Sequence, residues 1–163
     1  EVEGSFATTI RTYSYGAHAC HVAVDPRTGH VDILDYVAIE DVGVAINPHI
    51  VHGQAIGALV QGLGGVFLDQ ILYDQDAQML NASLADYLVP LATDFSNVRA
   101  ITMELRRSKT NPLGAKGAGE GGMVAVAATT ANAVAAALKP LGIEVRDLPL
   151  SPARIWGLVN GAL

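Results

Sequence analysis

Residues Asn111 to Gly122 read NPLGAKGAGEGG, and they lead directly into the apolar segment MVAVAATTANAVAAAL, which ends at Leu138. Glycines this frequent allow backbone amides to approach a ligand closely, because no Cβ stands in the way. A helix that begins at the end of such a loop adds unpaired N–H groups and the positive end of its dipole. The sequence places one acid, Glu120, in this potential anion-binding site. A carboxylate in that position indicates a chemical function.

Composition limits the classes of protein to which the chain can belong. Its 163 residues suffice for one domain with a sizeable core. Half of the residues are hydrophobic, 16% are charged, and the formal net charge is -6. An acidic chain without a basic cluster is unsuited to binding nucleic acid. No uninterrupted apolar window reaches the roughly 18 residues of a membrane span, so we predict none.

The single cysteine, Cys20, excludes an internal disulfide and cannot by itself hold an iron–sulfur cluster. We therefore expect a reduced, cytoplasmic setting. The chain opens EVEGSF without an initiating methionine. We expect residues 1–163 to form a single domain that is a fragment of a larger subunit.

Periodicity and turn residues predict an α+β fold: β-hairpins and short mixed strands packed with two long apolar helices, the second starting at the Glu120 loop. The motif Pro26-Arg27-Thr28-Gly29 lies between two extended runs and predicts a hairpin. Asn47 followed by Pro48 predicts a capped helix start. The predicted elements are extended runs over 14–25 and 31–44, a helix from 47–48 to 67, a small hairpin over 72–80, a strand over 98–105, a helix over 123–138, a short strand over 143–145, and a last helix over 152–159 capped by Ser151.

The first long helix carries five glycines: Gly53, Gly57, Gly62, Gly64 and Gly65. Each interior glycine costs roughly 1 kcal/mol relative to alanine, so their presence requires a reason. Close approach of another backbone or of a bound ligand is one reason, and simple packing against a sheet is the other. The sequence favours neither.

A dinucleotide site is one interpretation of the glycine loop, because Gly117, Gly119 and Gly122 satisfy G-x-G-x-x-G and Glu144 follows at a suitable distance. Three observations count against it. Residues 111–112 separate the motif from the preceding strand, Glu120 would repel a pyrophosphate, and the chain predicts hairpins instead of alternating β–α units.

Other candidate sites are weaker. His18 and Cys20 would share one face of a strand while His21 points away, and His49 with His52 lacks a recognisable third ligand, so no metal site is predicted. Ser108, Ser151 and Cys20 belong to no nucleophile–base motif. Gln54 shares a helix face with Gln61 in a glycine-rich segment, where its amide offers donors and an acceptor to a ligand; an exposed glutamine explains it equally well.

Three runs, DVGVAINPHIVHGQAIGALVQGLG, NPLGAKGAGEGG and LPLSPARIW, resemble the C-terminal molybdenum-cofactor domain of the molybdenum hydroxylases. That family includes xanthine oxidase, the aldehyde oxidoreductases and the large subunit of aerobic carbon monoxide dehydrogenase, and the resemblance is nearest to the carbon monoxide dehydrogenase-like branch. It extends from about residue 13 to residue 159. Bacterial relatives often carry an acidic residue where this chain has His52.

The resemblance implies a role for each residue of the loop. Glu120 would stand next to the molybdenum and act as general base, so that oxygen derived from water attacks an electron-poor carbon of an aldehyde, an N-heterocycle or a similar small molecule, or oxidises carbon monoxide. Lys116, Gly117, Ala118 and Gly119 would contact the molybdenum–molybdopterin cofactor. Gln54 would hydrogen-bond the cofactor from the helix.

The resemblance also implies partners. Iron–sulfur and FAD groups would lie on other domains or subunits, and the remainder of the molybdopterin subunit would supply the substrate-side residues. The isolated chain is accordingly expected to be inactive and to bind no cofactor tightly. The rival hypothesis from another class is a catalytically silent interaction or scaffold domain.

Overall fold

The computed structural model describes residues 2–161. It confirms the predicted α+β class. The strands are β1 (Tyr15–Val24), β2 (Val31–Asp41) and β3 (Val98–Met103), and the helices are α1 (Pro48–Phe67), α2 (Gly121–Val124), α3 (Val126–Leu138) and α4 (Pro152–Val159), with a 3₁₀ turn at Lys139–Leu141.

The predicted first hairpin is confirmed. β1 and β2 pair antiparallel from Tyr15 opposite Asp41 to Val24 opposite Val31, with one irregularity after His21. In the turn, the amide of Gly29 donates to the carbonyl of Asp25 at 2.8 Å. Gly29 has φ +74°, a left-handed conformation that glycine adopts without steric cost.

β3 lies on the other side of β2 and runs parallel to it, which gives the sheet the order β1-β2-β3. Together β2, α1 and β3 form one β–α–β unit; the sequence patterns predicted the strand over 98–105 but not its pairing with β2. The parallel partner was missed because 30 residues of mostly irregular chain, 68–97, separate α1 from β3. The small hairpin predicted over 72–80 reduces to a single bridge between Tyr73 and Met79.

The predicted start of α1 is confirmed, because the side chain of Asn47 accepts a hydrogen bond from the amide of Ile50 at 3.2 Å. The glycines of α1 divide into two groups. A Cβ at Gly62 would lie 2.8 Å from the Cβ of Val126, so this glycine allows α3 to pack closely on α1. Gly53, Gly57 and Gly65 instead face open space.

The helix predicted over 123–138 is interrupted, and this prediction is corrected. α2 is a separate short helix that ends at Ala125, whose amide bonds to the carbonyl of Met123. A new helix begins at once, with Thr129 donating to Ala125 at 2.9 Å. Because glycines are poor helix formers, packing fixes the first turn: a Cβ at Gly122 would overlap the carbonyl oxygen of Ala55 in α1.

The short strand predicted over 143–145 is wrong, since this segment adopts no strand in the structure. Its alternation has another origin. The side chains of Ile143 and Val145 are partly buried and pack against the main core. The apolar periodicity reflects that packing, without the backbone ladder of a sheet.

One core joins the sheet to the helices. Its fully buried members include Tyr36 from β2, Leu59 and Leu63 from α1, and Val126 and Val134 from α3. Two helical stretches, Pro48–Phe67 and Gly121–Leu141, are long and apolar enough in composition to cross a membrane. Both contribute to this core, and core helices pass the same test of length and hydropathy. About a third of each is buried in this chain, which leaves apolar surface uncovered.

The contact at Gly62 generates a stability prediction. Gly62→Ala should destabilise the chain by about 1–3 kcal/mol, because the new methyl overlaps Val126. Gly57→Ala is the matched control on the same helix and should stabilise it by about 0.5–1 kcal/mol, since space is open there. Urea unfolding followed by circular dichroism measures both changes. Equal effects of the two substitutions would contradict the assigned role of Gly62.

Candidate functional site

The first half of the glycine loop is fixed to the end of β2. Gly114 takes φ +71°, and its carbonyl accepts hydrogen bonds from the amides of Ser108 and Val44 at 2.9 and 3.1 Å. Ala115 forms a bridge with Gly43. The amide of Lys116 then donates to the carbonyl of Val42 at 2.9 Å. The loop therefore leaves the sheet from a defined position.

A buried ion pair reinforces this attachment. The Nζ of Lys116 lies 3.1 Å from Oδ1 of Asp41, and the two side chains are 7% and 3% exposed. Asp41 also accepts hydrogen bonds from the amides of Gly43 and Arg106, both at 2.9 Å, and from the hydroxyl of Tyr15 at 3.2 Å. The Lys116 ammonium lies 4.3 Å from the centre of the Tyr15 ring. Each charge is thus compensated without water.

These contacts set the ionisation of Asp41. Burial alone would raise its pKa, but the Gly43 amide, the Lys116 ammonium and the Arg106 amide outweigh it and lower the pKa to about 2. Lys116 was predicted to contact a cofactor. In the structure its ammonium pairs with Asp41 and lies over the Tyr15 ring, which gives it the role of anchoring the loop, and its contact with a cofactor stays a prediction.

Beyond Lys116 the loop opens onto a cavity of about 590 Å³. Its wall combines the N-terminal segment, the start of β1, the end of β2 and the loop itself. The residues in contact with it are Arg11, Thr12, Tyr13, Ser14, Tyr15, Gly16, His18, Glu40, Gly117, Gly119, Glu120, Gly121, Val124 and Ala125. A Cβ at Gly117 or Gly119 would meet no atom within 4 Å, so both glycines present bare backbone to this space.

Glu120 lies in this wall and is exposed. It occupies the cap position of α2, where its carbonyl accepts from Met123 at 2.9 Å. Its side chain makes no capping hydrogen bond to the amides of that helix. The carboxylate therefore remains free to act on a ligand.

A second carboxyl in the same wall, Glu40, was overlooked in the sequence. It is 3% exposed, and neither of its oxygens has a hydrogen-bond partner within residues 2–161. A Cβ at Gly121 would overlap this carboxyl, so the residue after Glu120 must be small. Burial raises the pKa of Glu40. The signal available in the sequence was the acidic pair Glu40-Asp41 directly after the apolar run Tyr36–Ile39.

His18 completes the polar part of the wall. Its Nδ1 lies 3.0 Å from the hydroxyl of Tyr36, and the two rings meet edge to face. Burial lowers the pKa of His18, against the opposing effect of the Gly121 backbone. Because Tyr36 belongs to the core, the imidazole is held in one orientation at the cavity.

Gln54 and Ala118 are placed elsewhere. Gln54 is exposed on α1 and does not line this cavity, but its neighbour Ala55 contacts Gly122 at the foot of the Glu120 loop. Gln54 and Glu120, two separately predicted site residues, therefore lie on α1 and at the start of the adjoining helix α2. Ala118 is half-buried within the loop, between the two open glycines.

The alternatives weighed from the sequence fare as follows. Among residues 2–161 no group of three or more histidine, cysteine or acidic side chains could hold a metal ion. Burial raises the pKa of Cys20 to about 11, which leaves the thiol unreactive. For a dinucleotide, residues 104–116 separate the end of β3 from Gly117 along the chain, and the exposed carboxylate of Glu144 pairs with Arg146.

Comparison with known proteins identifies the family. Residues 2–96 match the model of the molybdopterin cofactor-binding domain. The chain belongs to this family. The match covers more than half of the chain and includes Glu40, Asp41 and Gln54. It ends before Lys116 and the Glu120 loop.

The relatives of this molybdopterin cofactor-binding domain are similar to it over nearly the whole chain, beyond the residues that the family model matches. The gamma subunit of the 6-hydroxypseudooxynicotine dehydrogenase complex of Paenarthrobacter nicotinovorans is 38% identical over 96% of this chain. The large subunit of nicotine 6-hydroxylase from the same organism is 35% identical over 100% of it. This chain spans 20% of the length of each relative.

A solved structure supports the same conclusion. Reconstituted CO dehydrogenase from Oligotropha carboxidovorans superposes with a TM-score of 0.85 and 28% sequence identity. The similarity covers 93% of this chain and 19% of that one. The fold described above is therefore shared with a portion of a much longer enzyme chain.

The cavity is suited to a molybdopterin cofactor. Its volume falls in the range of about 300–1,000 Å³ that is typical of cofactor sites. Gly117 and Gly119 offer unobstructed backbone, as an anionic group requires. The unpartnered carboxyl of Glu40 further indicates that this space receives a polar group.

The ion pair at the root of the loop generates a second prediction. Asp41→Asn or Lys116→Met alone leaves a buried polar partner uncompensated and should lower the melting temperature of the complete enzyme by roughly ten degrees. The double variant should be less harmful than the sum of the two, because it leaves no unpaired charge. Asp35→Asn removes the exposed pair with Arg99 and is the control, with an expected shift of about two degrees or less.

The lowered pKa of Asp41 predicts how the stability of the protein changes in acid. Because the pKa of Asp41 is lowered from 3.8 to about 2, its stabilising effect is present above pH 3.8 and is lost as the pH falls toward 2. The melting temperature of the Asp41→Asn variant should accordingly depend less on pH in this window than that of the parent. Parallel pH curves for the two proteins would contradict the assignment.

Proposed function

We propose that this chain is the part of a molybdopterin-dependent oxidoreductase that carries the general base, Glu120. The reaction class is hydroxylation of an aldehyde, an N-heterocycle or a similar small substrate with oxygen derived from water, or oxidation of carbon monoxide. One observation carries the proposal: a free carboxylate stands beside open glycine backbone in the wall of a cofactor-sized cavity. The names of the relatives, which act on 6-hydroxypseudooxynicotine, nicotine and CO, support the reaction class.

The cofactor, when bound, supplies the acceptor for two electrons and the site at which water-derived oxygen is activated. The backbone of residues 117–119 holds its anionic parts, since amide groups without a neighbouring Cβ can point directly at them. The Gln54 amide, on the exposed face of α1, hydrogen-bonds the cofactor from the helix side. Lys116 contributes by holding the loop in place through Asp41.

Glu120 accepts the proton that is released when oxygen is transferred to substrate. The carboxylate suits this step because it is exposed at the cavity and makes no capping hydrogen bond to the helix that follows. Its backbone position is fixed on both sides. The loop is bonded to β2 before it, and α2 is packed on Ala55 after it. A base held in this way loses little entropy when it meets its proton.

The remaining walls of the site belong to the rest of the subunit. This chain spans about a fifth of the length of its relatives, and it exposes many large apolar side chains. Examples from the cavity rim and its surroundings are Tyr13, Tyr15 and Val124. Apolar surface of this extent is typical of an interface. We propose that the remainder of the subunit covers it, and that iron–sulfur and flavin groups on other domains or subunits receive the electrons.

Glu120→Gln tests the base. In the complete enzyme, we expect turnover to fall by roughly 10²- to 10⁴-fold, because the amide cannot accept a proton. The measurement is dye reduction driven by nicotine, 6-hydroxypseudooxynicotine or carbon monoxide, whichever the parent enzyme oxidises. Molybdenum content should stay at the parental level, since glutamine is nearly isosteric with glutamate.

Two results would refute this function. Near-parental turnover of the Glu120→Gln variant with normal molybdenum content removes Glu120 from the chemistry. Lack of molybdenum in the complete natural enzyme favours instead a catalytically silent interaction or scaffold domain. Glu144→Gln is the control, because this acid is exposed and paired with Arg146 away from the cavity, and the variant should keep its activity.

Gln54→Ala tests the second predicted contact. Loss of its amide should change the electron paramagnetic resonance signal of the molybdenum centre, because the donor and acceptor atoms around the metal change. Gln61→Ala is the matched control, seven residues along the same exposed face of α1. A signal that is unchanged in the Gln54 variant would place this residue outside contact with the cofactor.

A further inference from the structure

The second carboxyl of the cavity, Glu40, has no assigned role. It follows Tyr36 and Ala38 on the face of β2 that turns toward the helices, and it is 3% exposed where those two are fully buried. Both of its oxygens are shielded and lack a hydrogen-bond partner within the described residues. Buried polar groups in folded proteins are normally hydrogen-bonded, because an unpaired one costs stability. A purely structural position here would favour an apolar side chain.

The surroundings of Glu40 limit what could satisfy it. Gly16 of β1 pairs with Glu40 in the sheet. Gly121 lies against the carboxyl, because a Cβ on Gly121 would be only 2.8 Å from Cδ of Glu40. Both neighbours are glycines, so the carboxyl is bordered by backbone that offers no side-chain donor. His18, further along β1 on the same face, directs Nδ1 to Tyr36. Glu40 itself belongs to the wall of the cavity, so a partner can approach it from that side.

We propose that Glu40 is a binding residue of this cavity, and that its carboxyl hydrogen-bonds a polar ring edge of the molecule that occupies the space beside Glu120. The proposal rests on the function proposed above. It gives the two acids of the cavity different roles, because Glu120 moves a proton whereas Glu40 recognises the bound molecule.

The chemical class of the ligand follows from the hydrogen-bonding groups that a buried, unpartnered carboxyl presents. Because burial raises the pKa of Glu40, the neutral form is favoured over a wider pH range than for an ordinary glutamate. A neutral carboxyl places one donor and one acceptor side by side. That pattern matches a ring in which a carbonyl or ring nitrogen stands next to an N–H group. Both a pterin ring and an N-heterocyclic substrate offer such an edge, so the two sources must be separated by experiment.

The test uses the complete enzyme, prepared with and without cofactor, and two substitutions of Glu40. Glu40→Gln keeps a donor and an acceptor, whereas Glu40→Met fills the same space without either. If the cofactor is the ligand, Glu40→Met should lower the molybdenum and pterin content per subunit at least tenfold when cofactor is limiting, and Glu40→Gln should retain most of it. If a substrate is the ligand, cofactor content stays normal and KM for nicotine or 6-hydroxypseudooxynicotine rises roughly tenfold to hundredfold in Glu40→Met, with kcat less affected.

A stability measurement separates binding from a structural role. In cofactor-free enzyme, Glu40→Met should melt at the same temperature as the parent or higher, because it removes an unpaired buried polar group. A lower melting temperature for this variant, with parental cofactor content and KM, would overturn the proposal in favour of structural support. So would cofactor content and KM within twofold of the parent in both variants. Glu120→Gln is assayed in parallel: if it is inactive while both Glu40 variants behave as the parent, the proposed function stands and this inference alone fails.

Discussion

The hydrogen-bonded ion pair between Asp41 and Lys116 is the constraint on which the site depends. It joins the last residue of β2 to the last fixed residue of the glycine loop, at 3.1 Å and out of contact with water. Residues 42–115 separate the two partners, and the last part of this segment, residues 104–115, is irregular. Without the ion pair, the loop could therefore take many positions relative to the sheet. With it, the open residues 117–120 begin at a defined point beside the sheet.

Packing fixes the far end of the same loop by a different means. Gly122 allows α2 to approach the backbone of α1 at Ala55. Gly62 of α1 allows α3 to approach at Val126. Close backbone packing needs no charge and leaves no room for a side chain. The two close contacts lie on either side of Ala125, where the apolar run after Glu120 divides into α2 and α3. The loop that carries Glu120 is held by electrostatics at its start and by shape at its end.

Local sequence signals predicted the features whose causes are local. The turn at Gly29 and the cap at Asn47 depend on neighbours a few residues away, and these predictions agree with the structure. The parallel pairing of β3 with β2 has no such signal, because its partner lies across α1 and an irregular segment. The anchoring role of Lys116 was missed for the same reason: 75 residues separate it from Asp41. Motifs indicate which residues carry chemistry, and tertiary contacts decide how each one is used.

The adjacent acids Glu40 and Asp41 show how much the environment decides. Successive residues of a strand point to opposite faces, so one carboxyl turns toward the helices and the other toward the loop. Asp41 meets two amides, a hydroxyl and an ammonium, and its pKa falls to about 2. Glu40 meets glycine backbone and an apolar face, and its pKa rises. The strand end therefore pairs one acid with a lysine, while its neighbour borders the cavity on the other side. The same two residues thereby place the loop and face the space that the loop encloses.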